Sequence, residues 1–310
     1  MSHGCAWWGG GVHHHHGMHL VVAITAALLA ALCFASASVL QHRSAQAAPQ
    51  LSGMHPGQLA RFVADMVRSP LWLLGTTGDL VGLVLQAVAL ARASLALVQP
   101  LLVCGLLFSI GVDAALTRRA PTRRQLGAAV VTVLGLLLFT LLATPHGGGR
   151  LHGRPTAAAL LVTGAGVAGL AVLGARRPHG PTRAGLLGAA CGLVFGATAA
   201  VLKQATEDLG HGVGTLLGGW PFYVMLLLGV VTIVLAQSAF AAGPLTASLP
   251  GIAVADPLVA VALGVVMFRE QLGRGAADRA GLLVGLIVMS VGAVVLARAN
   301  ARVEETVLLV

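Results

Sequence analysis

Lysine is all but missing from this chain, with Lys203 as its only example. Charged residues of every kind make up 9%, against roughly a quarter in an ordinary soluble domain. A surface with so little charge excludes a water-soluble globular fold. Aromatic residues are scarce too, at 4%, and none is interleaved with the arginine clusters. The stacking platforms that single-stranded nucleic acid requires are therefore missing, and no nucleic-acid partner is expected despite a net charge of +9. Cys5, Cys33, Cys104 and Cys191 show no paired metal or redox spacing, and the last three fall in apolar runs as small fillers. HExxH, GxSxG, a Cys/His nucleophile pair and a phosphate-cradling loop are all absent. Neither an enzyme nor a cofactor is expected.

Hydrophobic residues are abundant instead, at 57%, with a mean hydropathy of +0.89. Apolar runs of roughly 18 to 25 residues can cross a bilayer. Nine fit, at 18–40, 71–91, 94–117, 125–144, 155–175, 183–202, 218–240, 244–268 and 278–298. The expected fold is an all-α polytopic transmembrane bundle of nine helices, with ten as the alternative. The arginines gather in short connections such as TRRAPTRR (117–124) and ARRPHGPTR (175–183). With the N-terminus outside, 12 of the 19 basic residues fall on the inner side, which is the positive-inside pattern of a plasma-membrane protein with a cytoplasmic C-terminus. The segment 58–69, QLARFVADMVRS, is too short and charged to span and reads as an interfacial helix. Residues 1–17 read as a disordered His-rich tail, with Met18 as an alternative start, and 299–310 as a short C-terminal tail.

The chain repeats itself. Ala35–Leu40 (ASASVL) matches Ala197–Leu202 (ATAAVL) at a shift of 162, and a shift of 151 places Gln86 on Gln237. Pro100 falls within one residue of Pro250 under that second shift. Residues 18–175 then form a first repeat and 183–298 a second, with five spans and four. The odd number in the first makes the repeats enter the membrane in opposite directions, as in secondary transporters whose sites lie at the repeat interface.

The stretches ALARASLALVQPLLVCGLLFSIGVDAALTRRAPTRRQLGAAVVTVLGLLLF and AFAAGPLTASLPGIAVADPLVAVALGVVMFREQLGRGAADRAGLLVGLIVMSVGAVVLAR resemble the two EamA-type halves of the drug/metabolite transporter superfamily. FREQL is similar to that family's Gly/Arg-Glu-Arg/Gln-Leu stretch and puts Glu270 on its glutamate. The nine-span layout with VQP and ADP helices looks closest to the NIPA-like magnesium-transporter branch. The resemblance implies a transporter. Two features depart from the family pattern: the second half lacks a fifth span, and the first half has ALTRRAPT where the second has FREQL.

Candidate site residues follow from the cost of polarity in hydrocarbon. A charge near the bilayer centre costs at least ~2.5 kcal/mol on insertion scales, so it usually serves a wet cavity. Asp256 has about a dozen apolar residues on each side, and packing alone is the bland alternative for it. Pro257 and Pro250, with Pro100 in the first repeat, are expected to break their helices and act as hinges. Broken helices expose carbonyls that can coordinate a cation. Asp79 is the second acid, with Gln86 two turns further along the same face. Gln86 and Gln237 supply amides from repeat-related helices, for a ligand or for interhelical bonding. Gln99 and Ser248 stand beside the proline sites. Lys203 and Glu207, at i and i+4, read as a surface pair. Trp72, Trp220 and Tyr223 fit an interfacial belt. Glycines 188, 192 and 196, and 281 with 285, form ridges for close helix packing. The expected substrate is Mg²⁺ or another small cation, or a small organic solute moved with protons. No metal is assigned to the site, and a homodimer and a non-transporting membrane subunit stay open as alternatives.

Overall fold

The structure, a computed structural model, describes residues 10–47, 69–118, 120–142, 153–243, 245–270, 272 and 275–308. Among them every regular element is a helix. They are α1 (Gly10–Ala47), α2 (Pro70–Leu90), α3 (Leu95–Leu102), α4 (Gly105–Thr117), α5 (Arg123–Leu142) and α6 (Gly153–Ala175). The second half holds α7 (Pro181–Gly210), the short α8 (Val213–Gly218), α9 (Trp220–Ala242), α10 (Leu245–Phe268) and α11 (Ala276–Leu308). Nine stretches among the described residues are long and apolar enough to span a membrane, α3 and α4 sharing one of them. This is an integral, multi-pass membrane protein. Helix α1 begins at Gly10, inside the stretch expected as a disordered tail, and α11 runs on through most of the expected C-terminal tail. The expected interfacial helix at 58–69 lies largely outside the described residues.

Local chemistry sets the helix starts. Ser69 accepts from the Trp72 amide ahead of Pro70, and Ser94 accepts from the Leu97 amide. Both place a hydroxyl where the first-turn N–H groups need an acceptor. At α5, the Thr122 hydroxyl accepts from the Gln125 amide while the Gln125 side-chain oxygen accepts from the Thr122 amide at 2.8 Å. This reciprocal pair satisfies two orphan donors. Thr122→Ala is expected to lower stability by about 1 kcal/mol, read as a lower melting midpoint in detergent. Within the apolar spans, Thr132, Thr163 and Thr198 give their hydroxyl protons to carbonyls four residues back. Polar hydrogen bonding is thus met inside the helix itself.

The two expected repeats can be compared through the packing of their helices. Helix α1 packs on α2 and on both α3 and α4, and its counterpart α7 packs on α9 and α10. The corresponding helices α5 and α11 pack on each other. A Cβ at Gly135 would meet the backbone of Met289 and Gly285, and one at Gly285 would meet Phe139 and Gly135. Arg118 and Arg269 are the two non-glycine residues with left-handed backbone among the described residues, at φ 55 and φ 52. They are separated by the same 151 positions that relate Gln86 to Gln237. Such backbone is uncommon outside glycine, and it recurs after the third and the eighth spans.

Helix α7 is the centre of the bundle, with 67% of its spanning window buried, whereas the α6 and α9 spans show 11% and 12%. The large side chains exposed on those outer helices, among them Leu161, Val162, Leu227 and Val230, face what a membrane would supply. Trp220 and Tyr223 are exposed at the start of α9, and the Tyr223 hydroxyl donates to the Leu217 carbonyl at 2.9 Å. That position agrees with an interfacial belt.

Candidate functional site

The glycine ridge of α7 brings the backbone of α10 into direct contact. A Cβ at Gly188 would strike the Ser248 carbonyl oxygen. At Gly192 it would sit 2.8 Å from the Ile252 oxygen and 3.1 Å from the Asp256 nitrogen, and at Gly196 2.7 Å from the Asp256 oxygen. The face of α10 that carries Ser248 and Asp256 is thereby held against α7. Helix α3, with Gln99, packs on both.

Three polar groups come to this region without partners. Asp256 Oδ1, Gln99 Nε2 and Ser248 Oγ are buried with no hydrogen bond among the described residues. Gln99 is 2% exposed and Ser248 0%. Leaving a buried donor or acceptor unmet costs roughly 1–3 kcal/mol. Ser248 and Asp256 stand eight residues apart on one continuous helix, about 12 Å at 1.5 Å per residue, so these are separate unmet groups along packed helices.

Not every candidate gathers there. Asp79 and Gln86 lie on α2, whose partners are α1, α3 and α7, while α10 packs on α3, α6, α7, α9 and α11. Gln86 is buried and Asp79 half-buried, but the two aspartates are not placed on neighbouring helices. Gln237 lies in α9, and its side chain is outside the described residues. Among the described residues, no three His, Cys, Asp or Glu side chains converge as metal ligands.

The prolines behave differently from expectation. Helix α10 runs unbroken from Leu245 to Phe268 through both Pro250 and Pro257. Each proline removes only the donor owed to the carbonyl four residues back, at Thr246 and Ala253, and neighbouring helices hold the rest. Only the Pro100 span is interrupted. It breaks at Val103–Cys104, where the amides of Val103 and Cys104 bond three residues back to Pro100 and Leu101. A tight 3₁₀ joint of this kind inside a helix marks a hinge.

The largest correction concerns Lys203. It is not a surface partner for Glu207 but is 4% exposed, and its ammonium donates to Glu270 Oε1 at 2.7 Å. The same oxygen accepts the Leu95 amide at 2.6 Å, and Oε2 accepts the Ala96 amide at 2.9 Å. The Lys203 nitrogen also lies 3.4 Å from the Ala93 oxygen and 4.8 Å from the Phe268 ring centre. One carboxylate of the second repeat thus caps the first turn of α3 in the first repeat, where helix-end N–H groups favour an anion, and binds the only ammonium side chain of the chain. Local backbone aims it. The left-handed turn at Arg269 lets the Glu270 amide bond the Gly264 oxygen at 3.1 Å, and a Cβ at Gly264 would collide with Glu270 Oε2. In the sequence, two signals bear on this site: the FREQL stretch that singles out Glu270, and a chain nearly free of lysine that keeps one in the last turns of an apolar helix.

No protein-family model matches the chain, and no solved structure matches it. An uncharacterized protein of Corynebacterium glutamicum is 27% identical over 281 residues, covering 90% of this chain and 96% of its own. A match of that length takes in both halves of the chain.

Proposed function

We propose that the protein is a secondary transporter of the drug/metabolite superfamily, EamA type, working by alternating access in the plasma membrane. The observation that carries this is the set of unpartnered buried groups on Asp256 and Ser248 of α10 and on Gln99 of α3, a helix of the first expected repeat that packs on α10. Transporters of inverted repeats place their substrate at such an interface, near mid-membrane. A scaffold would gain nothing from unmet polar groups at that depth.

The arginine distribution supports an outside N-terminus and a cytoplasmic C-terminus. A small cation fits the buried acid best. The Asp256 carboxylate would supply the charge, and a Mg²⁺ would keep several of its waters. The test is Mg²⁺ flux into proteoliposomes under an imposed gradient, wild type against Asp256→Asn. Flux in the wild type that falls at least about tenfold in the variant is expected, since the coordinating charge is lost. Equal flux in both would remove Asp256 from the site. No flux in well-folded wild type would turn the substrate to small organic solutes driven by a proton gradient.

A further inference from the structure

We infer that α3 is a gate. It is latched at its N-terminus by the Glu270–Lys203 pair and hinged at its C-terminus by the Val103–Cys104 joint. The role in a transport cycle rests on the transporter reading above, but the latch itself can be tested without any substrate.

Four observations converge on α3. It is eight residues long and separated from α4 by a tight joint, so it can pivot without unwinding the rest of its span. Beyond the joint, Gly105 lies close to the Ala31 carbonyl of α1, where a Cβ would be 3.3 Å away, which anchors the far side of the hinge. The N-terminal end is tied by a single side chain, through two amide bonds and one ion pair. And α3 carries Gln99, whose buried, unpartnered amide nitrogen would move with it.

All the groups of the latch lie on one membrane face. Helices alternate in direction, so the end of the sixth span (Lys203), the end of the eighth (Glu270) and the start of the third (Leu95) fall together. With the N-terminus outside, that face is the outer one.

A buried ion pair is a poor device for permanent closure. Apolar residues of similar volume often hold as well or better, because paired charges still give up hydration. What charges offer is a bistable contact, since both are rehydrated when the face opens and matched again when it closes. The repeat-related position in the first half is Arg119, so this latch, built on a carboxylate, serves one face only.

The experiment uses full-length protein in nanodiscs, with the native cysteines replaced and Ala96→Cys as reporter, labelled by a hydrophilic maleimide. In Glu270→Gln the closed face keeps an unmatched ammonium, so labelling is expected to run about tenfold faster or more through a larger open population. In Lys203→Met/Glu270→Gln the charge is gone and the glutamine oxygen can still cap α3, so labelling is expected at or below the wild-type rate. Unchanged labelling in Glu270→Gln, or equally fast labelling in both variants, would overturn the latch. Hydrogen exchange of the wild-type protein gives a reading that does not depend on the variants folding. The amides of 95–99, 101 and 102 are expected to exchange as a unit and faster than those of 105–117, and equal rates would overturn the gate.

Discussion

Glu270→Ala is expected to be among the most damaging single substitutions in this chain, lowering stability by about 3–5 kcal/mol. The side chain removed is 3% exposed and makes an ion pair and two backbone hydrogen bonds. Its loss leaves the Lys203 ammonium buried with only the Ala93 carbonyl and the Phe268 ring beside it. It also strands the Leu95 and Ala96 amides, because the Ser94 hydroxyl serves Leu97 instead. The damage comes from the partner left behind rather than from the bond itself, and that makes a rescue predictable. Lys203→Met/Glu270→Gln removes both charges, keeps comparable volume and retains one acceptor at the helix end. Its melting midpoint in detergent is expected to return close to wild type. A double variant as unstable as Glu270→Ala would show that the pair is required for folding in its own right.

Gly192→Leu is expected to destabilise by about 3 kcal/mol or more and to abolish transport, since added methylenes in a packed interior cost roughly 1–3 kcal/mol even where side chains can yield. Here the obstacles include the backbone of α10, at Ile252 and Asp256, and the Ala255 Cβ at 2.7 Å. Backbone cannot rotate away as a side chain can. The whole helix must move out, and Asp256 moves with it. Gly164, by contrast, faces open space, with nothing within 4 Å of its ideal Cβ. Gly164→Leu should leave the stability within about 0.5 kcal/mol of wild type, as surface changes usually do. Thermal unfolding of the two variants side by side separates close approach from helix propensity.

Much of this architecture was legible in the sequence because hydrocarbon imposes length and composition directly. A run that crosses the membrane must be apolar for some 20 residues, so nine spans could be read off, most of them within a few residues of where the helices lie. The repeat was proposed from small residues and turns that recur at a fixed shift. Arg118 and Arg269 then displayed the same backbone at the predicted shift. The glycine ridge on α7 was likewise visible as a spacing of four.

Other features depended on which helices meet. The span containing Pro100 breaks three residues beyond its proline, while the one containing Pro250 and Pro257 does not break at all. Proline only removes a donor, and the surrounding packing decides whether the helix yields. Asp79 and Asp256 looked equivalent as intramembrane acids, but the fold sets them on helices that do not pack directly on each other. Lys203 with Glu207 satisfied the local i, i+4 rule, yet the ammonium reaches a glutamate 67 positions away.

The sequence by itself determined the class of the protein and its spans, because both are written in hydropathy along one dimension. Tertiary structure alone decided the Glu270 cap on α3, the hinge at Val103–Cys104 and the company of Asp256. These are contacts between segments far apart in the chain, and burial turns a short-range geometry of a few ångströms into the dominant electrostatic term.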